Sequence, residues 1–117
     1  MPEQWSVEFF NATVEREFFA IPKGLQARLV RITDLIELYG LEHLGMPYLR
    51  HLQGKLWEIR GKGQSGIARA LYVAKIGNKV IILRVFVKKT QKTPPGEIAL
   101  AMSRMKETEN GQNDVRG

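Results

Sequence analysis

Hydrophobic and polar positions change period several times along the chain, and each change marks an element. Over residues 4–10, Trp5, Val7 and Phe9 alternate with Ser6 and Glu8, the two-residue repeat of a half-buried strand. A short helix is expected over 12–20, with Val14, Phe18 and Ile21 on one side. Pro22 and Gly24 interrupt it. From 23 to 39 the period lengthens: Leu25, Leu29, Ile32, Ile36 and Tyr39 form one helical stripe, with Gln26, Arg28, Arg31 and Glu37 mostly away from it. Gly40 stands where a helix end favours glycine. Residues 41–54 follow no regular period and contain Gly45, Pro47 and Gly54.

Three strand-like segments follow, at about 55–60, 67–76 and 79–88. Gly77-Asn78 between the last two predicts a tight hairpin of type II′. Thr93-Pro94 reads as an N-cap and first helical position, and Ile98, Ala101, Met102 and Met105 give a third helix its apolar face. Residues 108–117 are polar and read as a frayed tail. With no repeat and no linker, one domain over 1–107 is expected. Its class is α+β: a small antiparallel sheet, made of the N-terminal strand and a three-stranded meander, with two N-terminal helices and one C-terminal helix.

The hairpin predicts a register. If Ile76 lies opposite Lys79, Arg69 faces Phe86, Leu71 faces Arg84 and Ile67 faces Lys88. Alternation then puts Ala68, Ala70, Tyr72, Ala74, Ile81, Leu83, Val85 and Val87 on an apolar face. Arg69, Leu71, Val73, Ile82, Arg84, Phe86 and Lys88 share the other. If Arg60 pairs near Ile67, Glu58 lies opposite Arg69 and, with Leu56 and Arg60, joins the cationic face. Trp57 and Ile59 then join the core. Lys62, Lys89 and Lys92 flank this face in loops. The plain alternative is a wet face whose charges pair with each other, Glu58 with Arg69 in particular.

Charge gives that face its interest. Eighteen Lys and Arg against twelve Asp and Glu leave the 117-residue chain at +6, a balance suited to nucleic acid or an acidic partner. The absence of cysteine excludes a disulfide scaffold, thiol catalysis and cysteine-ligated zinc, and suits a reducing cytoplasm. No apolar run approaches the ~18 residues of a membrane span, and the N-terminus has no secretory pattern. Gly61-Lys62-Gly63-Gln64-Ser65-Gly66 lacks the Gly-Lys-Ser/Thr ending of a phosphate-binding loop. No motif calls for a metal or a small-molecule cofactor.

Cations around one aromatic and one acid suit RNA. Arginines grip phosphates, and an aromatic such as Phe86 can stack on a base. RNA brings its own nucleophile, the 2′-hydroxyl, so a protein need only align it, move its proton and stabilise charge on the phosphate. Arg60, Arg69 and Arg84 are candidate phosphate stabilisers and Glu58 a candidate base. Lys55 or His51 are further candidates for proton transfer, although His51, like His43, reads more simply as a surface or packing residue.

The element order, with Leu56-Trp57-Glu58-Ile59-Arg60, Arg69-Ala70-Leu71-Tyr72, Arg84-Val85-Phe86-Val87-Lys88-Lys89-Thr90, Thr93-Pro94, Glu97-Ile98 and Ala101, resembles the RelE/ParE toxin superfamily, and within it the phage-derived HigB-like branch. The resemblance spans roughly residues 5–107. It implies the toxin of a type II toxin–antitoxin pair, a metal-independent mRNA endoribonuclease acting on the ribosome and silenced by a helix-turn-helix antitoxin. By position the resemblance matches Arg60, Arg69 and the Lys88-Lys89 pair to the family's basic residues, with Lys55 near them. Together with the cationic face, this makes Arg60, Arg69, Glu58 and Lys88 the candidate catalytic residues, and Lys55, Arg84, Phe86, Lys89 and Lys92 the candidate RNA-binding ones. Some members carry a C-terminal tyrosine or histidine; none occurs here from Lys88 to Gly117, so either Glu58, Lys55 or His51 serves in proton transfer, or the ribosome and substrate do more of the work. A ParE-like member would inhibit gyrase without cutting RNA, and a third reading is a non-toxic basic binding module of phage origin.

Overall fold

A computed structural model describes residues 4–45 and 47–109. The chain runs β1 (Ser6–Phe9), α1 (Ala12–Phe19), α2 (Lys23–Tyr39), a turn of 3-10 helix (Leu41–His43), β2 (Leu49–Gln53), β3 (Leu56–Gly63), β4 (Gly66–Lys75), β5 (Lys79–Lys88) and α3 (Pro95–Glu109). The α+β class is as expected, with a richer sheet: five strands in the order β1-β5-β4-β3-β2. β2 arises inside the segment without periodicity, where Arg50 and Gln53 are polar and a five-residue edge strand shows little alternation. β1 joins β5 in parallel, Ser6 beside Lys79, so the sheet is mixed rather than antiparallel.

Local chemistry sets the helix ends. Asn11 accepts a hydrogen bond from Val14 N at 3.0 Å and caps α1. Gly40, at φ 85°, ends α2. Gln26 is not on an outer face: it is buried, and its Nε2 donates to Ile21 O (2.9 Å) and Phe19 O (3.2 Å), tying α2 to the end of α1. Of the expected α2 stripe, Leu25, Leu29, Ile32 and Ile36 are buried, whereas Tyr39, the last residue of the helix, is exposed. α3 starts at Pro95, one residue later than expected, because the Thr93 hydroxyl is engaged elsewhere. It takes in the buried Thr108 and then Glu109, two residues expected in the tail; residues 110–117 lie outside those described.

The hairpin β4–β5 keeps the expected register over its far half: Ile67 with Lys88, Arg69 with Phe86 and Leu71 with Arg84. A bulge between Leu71 and Tyr72 shifts the half nearer the turn, where Lys75 pairs with Lys79. Gly77 and Asn78 both have positive φ (92° and 58°), which a type II′ turn does not require of its second residue. A one-residue slip moves side chains across the sheet. Ile82 therefore joins the core under α1 and α2, and Ile81 and Leu83 face α3. β3 and β4 also pair two residues away from the expected register, Arg60 opposite Arg69 and Glu58 opposite Leu71. An even shift preserves the faces.

Two cores result. α1 and α2 pack on one face over Ile59, Ala68, Ala70, Tyr72, Val80, Ile82 and Val85. α3 packs on the other, with Ala101 and Met105 against Leu56, Leu71, Val73, Leu83 and Phe86. The face expected to be open and cationic is thus roofed by α3 and the segment leading into it. Trp57, expected in the core, is 39 % exposed because β3 lies next to the short edge strand.

Candidate functional site

Five residues expected at the site are engaged in internal structure. Arg69 and Glu58 are both fully buried, and Arg69 Nε stands 3.3 Å from Glu58 Oε1, an ion pair without hydrogen-bond alignment. Glu58 also accepts from Arg60 Nε (3.1 Å) and from Thr93 Oγ1 (2.8 and 3.0 Å). Arg69 donates to the carbonyls of Thr90 and of Lys92 (3.2 Å), and Arg60 donates to the carbonyl and side chain of Gln91. The network clamps residues 90–93 onto β3 and β4. Burial, then the neighbouring Arg60, pulls the Arg69 guanidinium below its ordinary pKa against the attraction of Glu58, with Arg50 adding to the depression.

Arg84 lies on α3's side of the sheet, bonded to Glu97 by Nε (2.7 Å) and Nη2 (3.2 Å) and ion-paired with Glu17 (3.2 Å). The Glu97 hydrogen bonds foremost raise its pKa, against burial. Its guanidinium also sits over the Phe86 ring, 5.6 Å from the centroid. Phe86 is itself buried in the α3 core, so its ring offers no open face for a base. Lys55 lies in the β2–β3 turn, and Lys88, Lys89 and Lys92 lie at and beyond the end of β5; all four are exposed.

The clamp leaves one edge of Arg60 toward solvent, and a groove of about 350 Å³ opens there. Arg50, His51 and Leu52 of β2 form one wall; Gln91, Lys92, Thr93 and Ile98 form the other, with Arg60 between. No carboxylate lines it among the described residues. Arg50 sits opposite Glu58 across the β2–β3 ladder, which turns it toward the clamp side of the sheet. His51 Nε2 lies 2.7 Å from Gly54 O. A carbonyl only accepts, so Nε2 carries hydrogen, and in the neutral ring Nδ1 keeps its lone pair. The ring packs edge-on against Trp57 at 5.1 Å. Arg50 escaped sequence reasoning because β2 itself did; the signal was an Arg-His pair beside a strand rich in charge. Among the described residues no three His, Cys, Asp or Glu side chains gather as a metal site, and no helix is long and apolar enough to cross a membrane.

This fold and cationic groove accompany a family match. The model for phage-derived Gp49-like proteins (DUF891) covers residues 16–106, most of the chain. The chain belongs to this family. Gp49-like proteins are related to RelE-type toxins, in keeping with the α+β architecture described above. The match takes in both walls of the groove and the whole clamp. No curated protein matches the chain.

Proposed function

We propose that this Gp49-like chain is the toxin of a type II toxin–antitoxin pair of HigB-like type. In this reading it works in the cytoplasm, cleaves mRNA on the ribosome without a metal, and is silenced by a helix-turn-helix antitoxin. The observation that carries the reading is the groove in which Arg50, Arg60 and Lys92 converge with no carboxylate among its described lining residues. Such a set attracts a phosphodiester and repels nothing in it.

The chemistry is internal transfer. The 2′-oxygen bonds to the adjacent phosphorus, and the bond from phosphorus to the 5′-oxygen breaks, leaving a 2′,3′-cyclic phosphate and a 5′-hydroxyl. The 2′ proton passes to solvent or to the ribosome, because the His51 ring, opposite Trp57 in the ladder, lies on the other face of the sheet from Arg50 and Glu58. Arg60 and Arg50 hold the phosphate while charge builds on it, and the lysine at 92 adds positive charge from the loop side. Proton return to the 5′-oxygen comes from solvent. Arg69 and Glu58 act as positioning residues: Arg69 holds the carbonyls of Thr90 and Lys92, and Glu58 holds Thr93 and Arg60, which in turn holds Gln91. Lys55, Lys88 and Lys89 extend the cationic surface toward the RNA on either side.

Inducible expression in a bacterium, with mapping of mRNA 5′ ends, tests the reading for wild type and Arg50→Ala. New in-frame cuts that vanish in the variant support it. Growth arrest with no cuts sinks it in favour of gyrase inhibition, and harmless expression sinks it in favour of a binding module.

A further inference from the structure

A second groove, of about 330 Å³, joins the first through Arg60 and Gln91, which line both. Its walls carry Arg28 and Arg31 of α2 and Lys62 of β3, all exposed. None of the three forms an ion pair among the described residues, and no carboxylate lines the groove there. Unpaired cations converging on a concavity mark a polyanion site more strongly than the same charges spread on a convex surface, since the low-dielectric walls focus their field.

Two features shape this groove. β2 pairs with β3 only from Leu49 to Gln53, so the outer edge of β3 beyond Arg60 has no paired strand among the described residues. And Gly61 lets α2 come close: a Cβ there would stand 3.0 Å from Arg28 Cβ. The glycine that made residues 61–66 look superficially like a phosphate loop is therefore used to bring an arginine-bearing helix against the strand. At the mouth stands Tyr48, 44 % exposed. Its backbone is fixed, with Tyr48 O accepting from Arg60 N at 2.8 Å and Tyr48 N donating to Gly45 O at 2.9 Å. A half-exposed ring on an anchored backbone is a stacking platform.

We infer that this second groove is a single-stranded RNA track, in which Arg28, Arg31 and Lys62 hold successive phosphates and Tyr48 stacks on an unpaired base. The inference rests on the RNA reading of the first groove and extends it: the strand crosses Arg60 and leaves along α2. An aromatic beside a row of cations fits an unpaired strand better than a duplex, whose bases present no open face.

The test is binding, by fluorescence anisotropy, of a short single-stranded RNA carrying 2′-O-methyl groups throughout, which has no nucleophile and cannot be cleaved. The proteins are wild type, Arg28→Ala/Arg31→Ala, Tyr48→Ala and Tyr48→Phe. Circular dichroism melts check that these surface variants stay folded. The double arginine variant is expected to weaken binding and to lower the slope of log K against log salt by about 1.4, at ~0.7 per phosphate contact. Tyr48→Ala is expected to weaken binding about tenfold, and Tyr48→Phe to restore it. Unchanged affinity and slope in the arginine variant, or no binding by wild type, overturns the track. If Tyr48→Ala binds like wild type and polyglutamate competes as well as RNA, the groove serves an acidic protein and the RNA assignment falls. Cleavage is scored separately by 5′-end mapping. Cuts in cells with no effect of the groove variants would sink the track alone; groove-dependent binding without cuts would sink the nuclease alone.

Discussion

Arg104 on α3 grips Glu17 on α1 with both ends of its guanidinium, Nη1 to Oε1 at 3.1 Å and Nη2 to Oε2 at 2.9 Å. The pair does more than join two helices. Arg104 Nη1 also donates to Leu83 O at 2.7 Å, and Glu17 Oε1 accepts from Val85 N at 3.2 Å. β1 covers β5 only as far as Ile82, so these side chains satisfy the strand edge where β1 stops. An edge so occupied cannot recruit another strand.

Stability in acid should follow from that contact. Burial of Glu17 disfavours its charge, but the hydrogen bond from Arg104, that from Val85 N and the two arginine charges outweigh it and hold the carboxyl below its usual 4.5. A group with a depressed folded pKa stabilises fully above its unfolded value and loses that contribution as pH falls through the folded one. Thermal melts of wild type should therefore decline below about pH 4.5, and those of Glu17→Gln should decline less over the same range. At neutral pH Glu17→Gln is expected to cost about 2 kcal/mol, as for a charged hydrogen bond. Parallel acid limbs in the two proteins would refute the assignment.

Arg69→Met should be a folding variant before it is an activity variant. It leaves Glu58 buried with fewer partners and strips the carbonyls of Thr90 and Lys92. Loss of about 3–5 kcal/mol is expected in urea unfolding, the cost of breaking a buried pair. Thr93→Val removes only the hydroxyl bonded to Glu58 and should cost about 1–3 kcal/mol. Full stability in Arg69→Met would show that the clamp does not hold the loop.

His51→Ala should move neither stability nor cutting. The side chain is exposed and its ring touches only Gly54 O and Trp57, on the face away from the groove, so melting should hardly change. Arg50→Ala removes a cation from the groove and should lower cleavage about 10²–10³-fold, the usual share of one group that stabilises transition-state charge. Undiminished cutting by Arg50→Ala in a translation extract would remove the groove from the mechanism.

Gly61→Ala tests the close approach of α2. Arg28 Cβ is fixed to the helix backbone and cannot swing aside, so α2 must shift from β3. The expected cost is about 1–3 kcal/mol, as for overpacking, read from urea unfolding. Glycine at 61 gives no side chain to the groove, so weaker RNA binding in this variant would reflect the displaced Arg28.

Much of this fold was legible because its signals are local. The stripe from Leu25 to Ile36, Gly40 at its end and the far half of the β4–β5 register all follow from spacing alone. The bulge between Leu71 and Tyr72 was not, since no glycine or proline marks it, and it redistributed Ile81, Ile82 and Leu83 between faces. Nor could periodicity say which sheet face α3 covers. That single unknown separated an open cationic face from the buried Glu58–Arg69 pair, which the sequence offered only as the plainer alternative. Arg28 and Arg31 were visible as residues off the apolar stripe, but nothing in one helix reveals what lies across from it. Tyr48 belonged to the segment without a period, and so did Arg50.

The parallel seating of β1 on β5 has a consequence for the nascent chain. Strands β2 to β5 can zip as successive hairpins while the chain emerges, each next to its predecessor. Ser6 must wait for Lys79. Until that late segment leaves the exit tunnel, the first strand has no ladder, and the residues of α1 that pack on β5 have no floor. Closing so long a loop is the slow, entropically costly step of such a topology. The groove walls at 91–98 are made later still, so the protein acquires its cationic site only after all five strands have been synthesised.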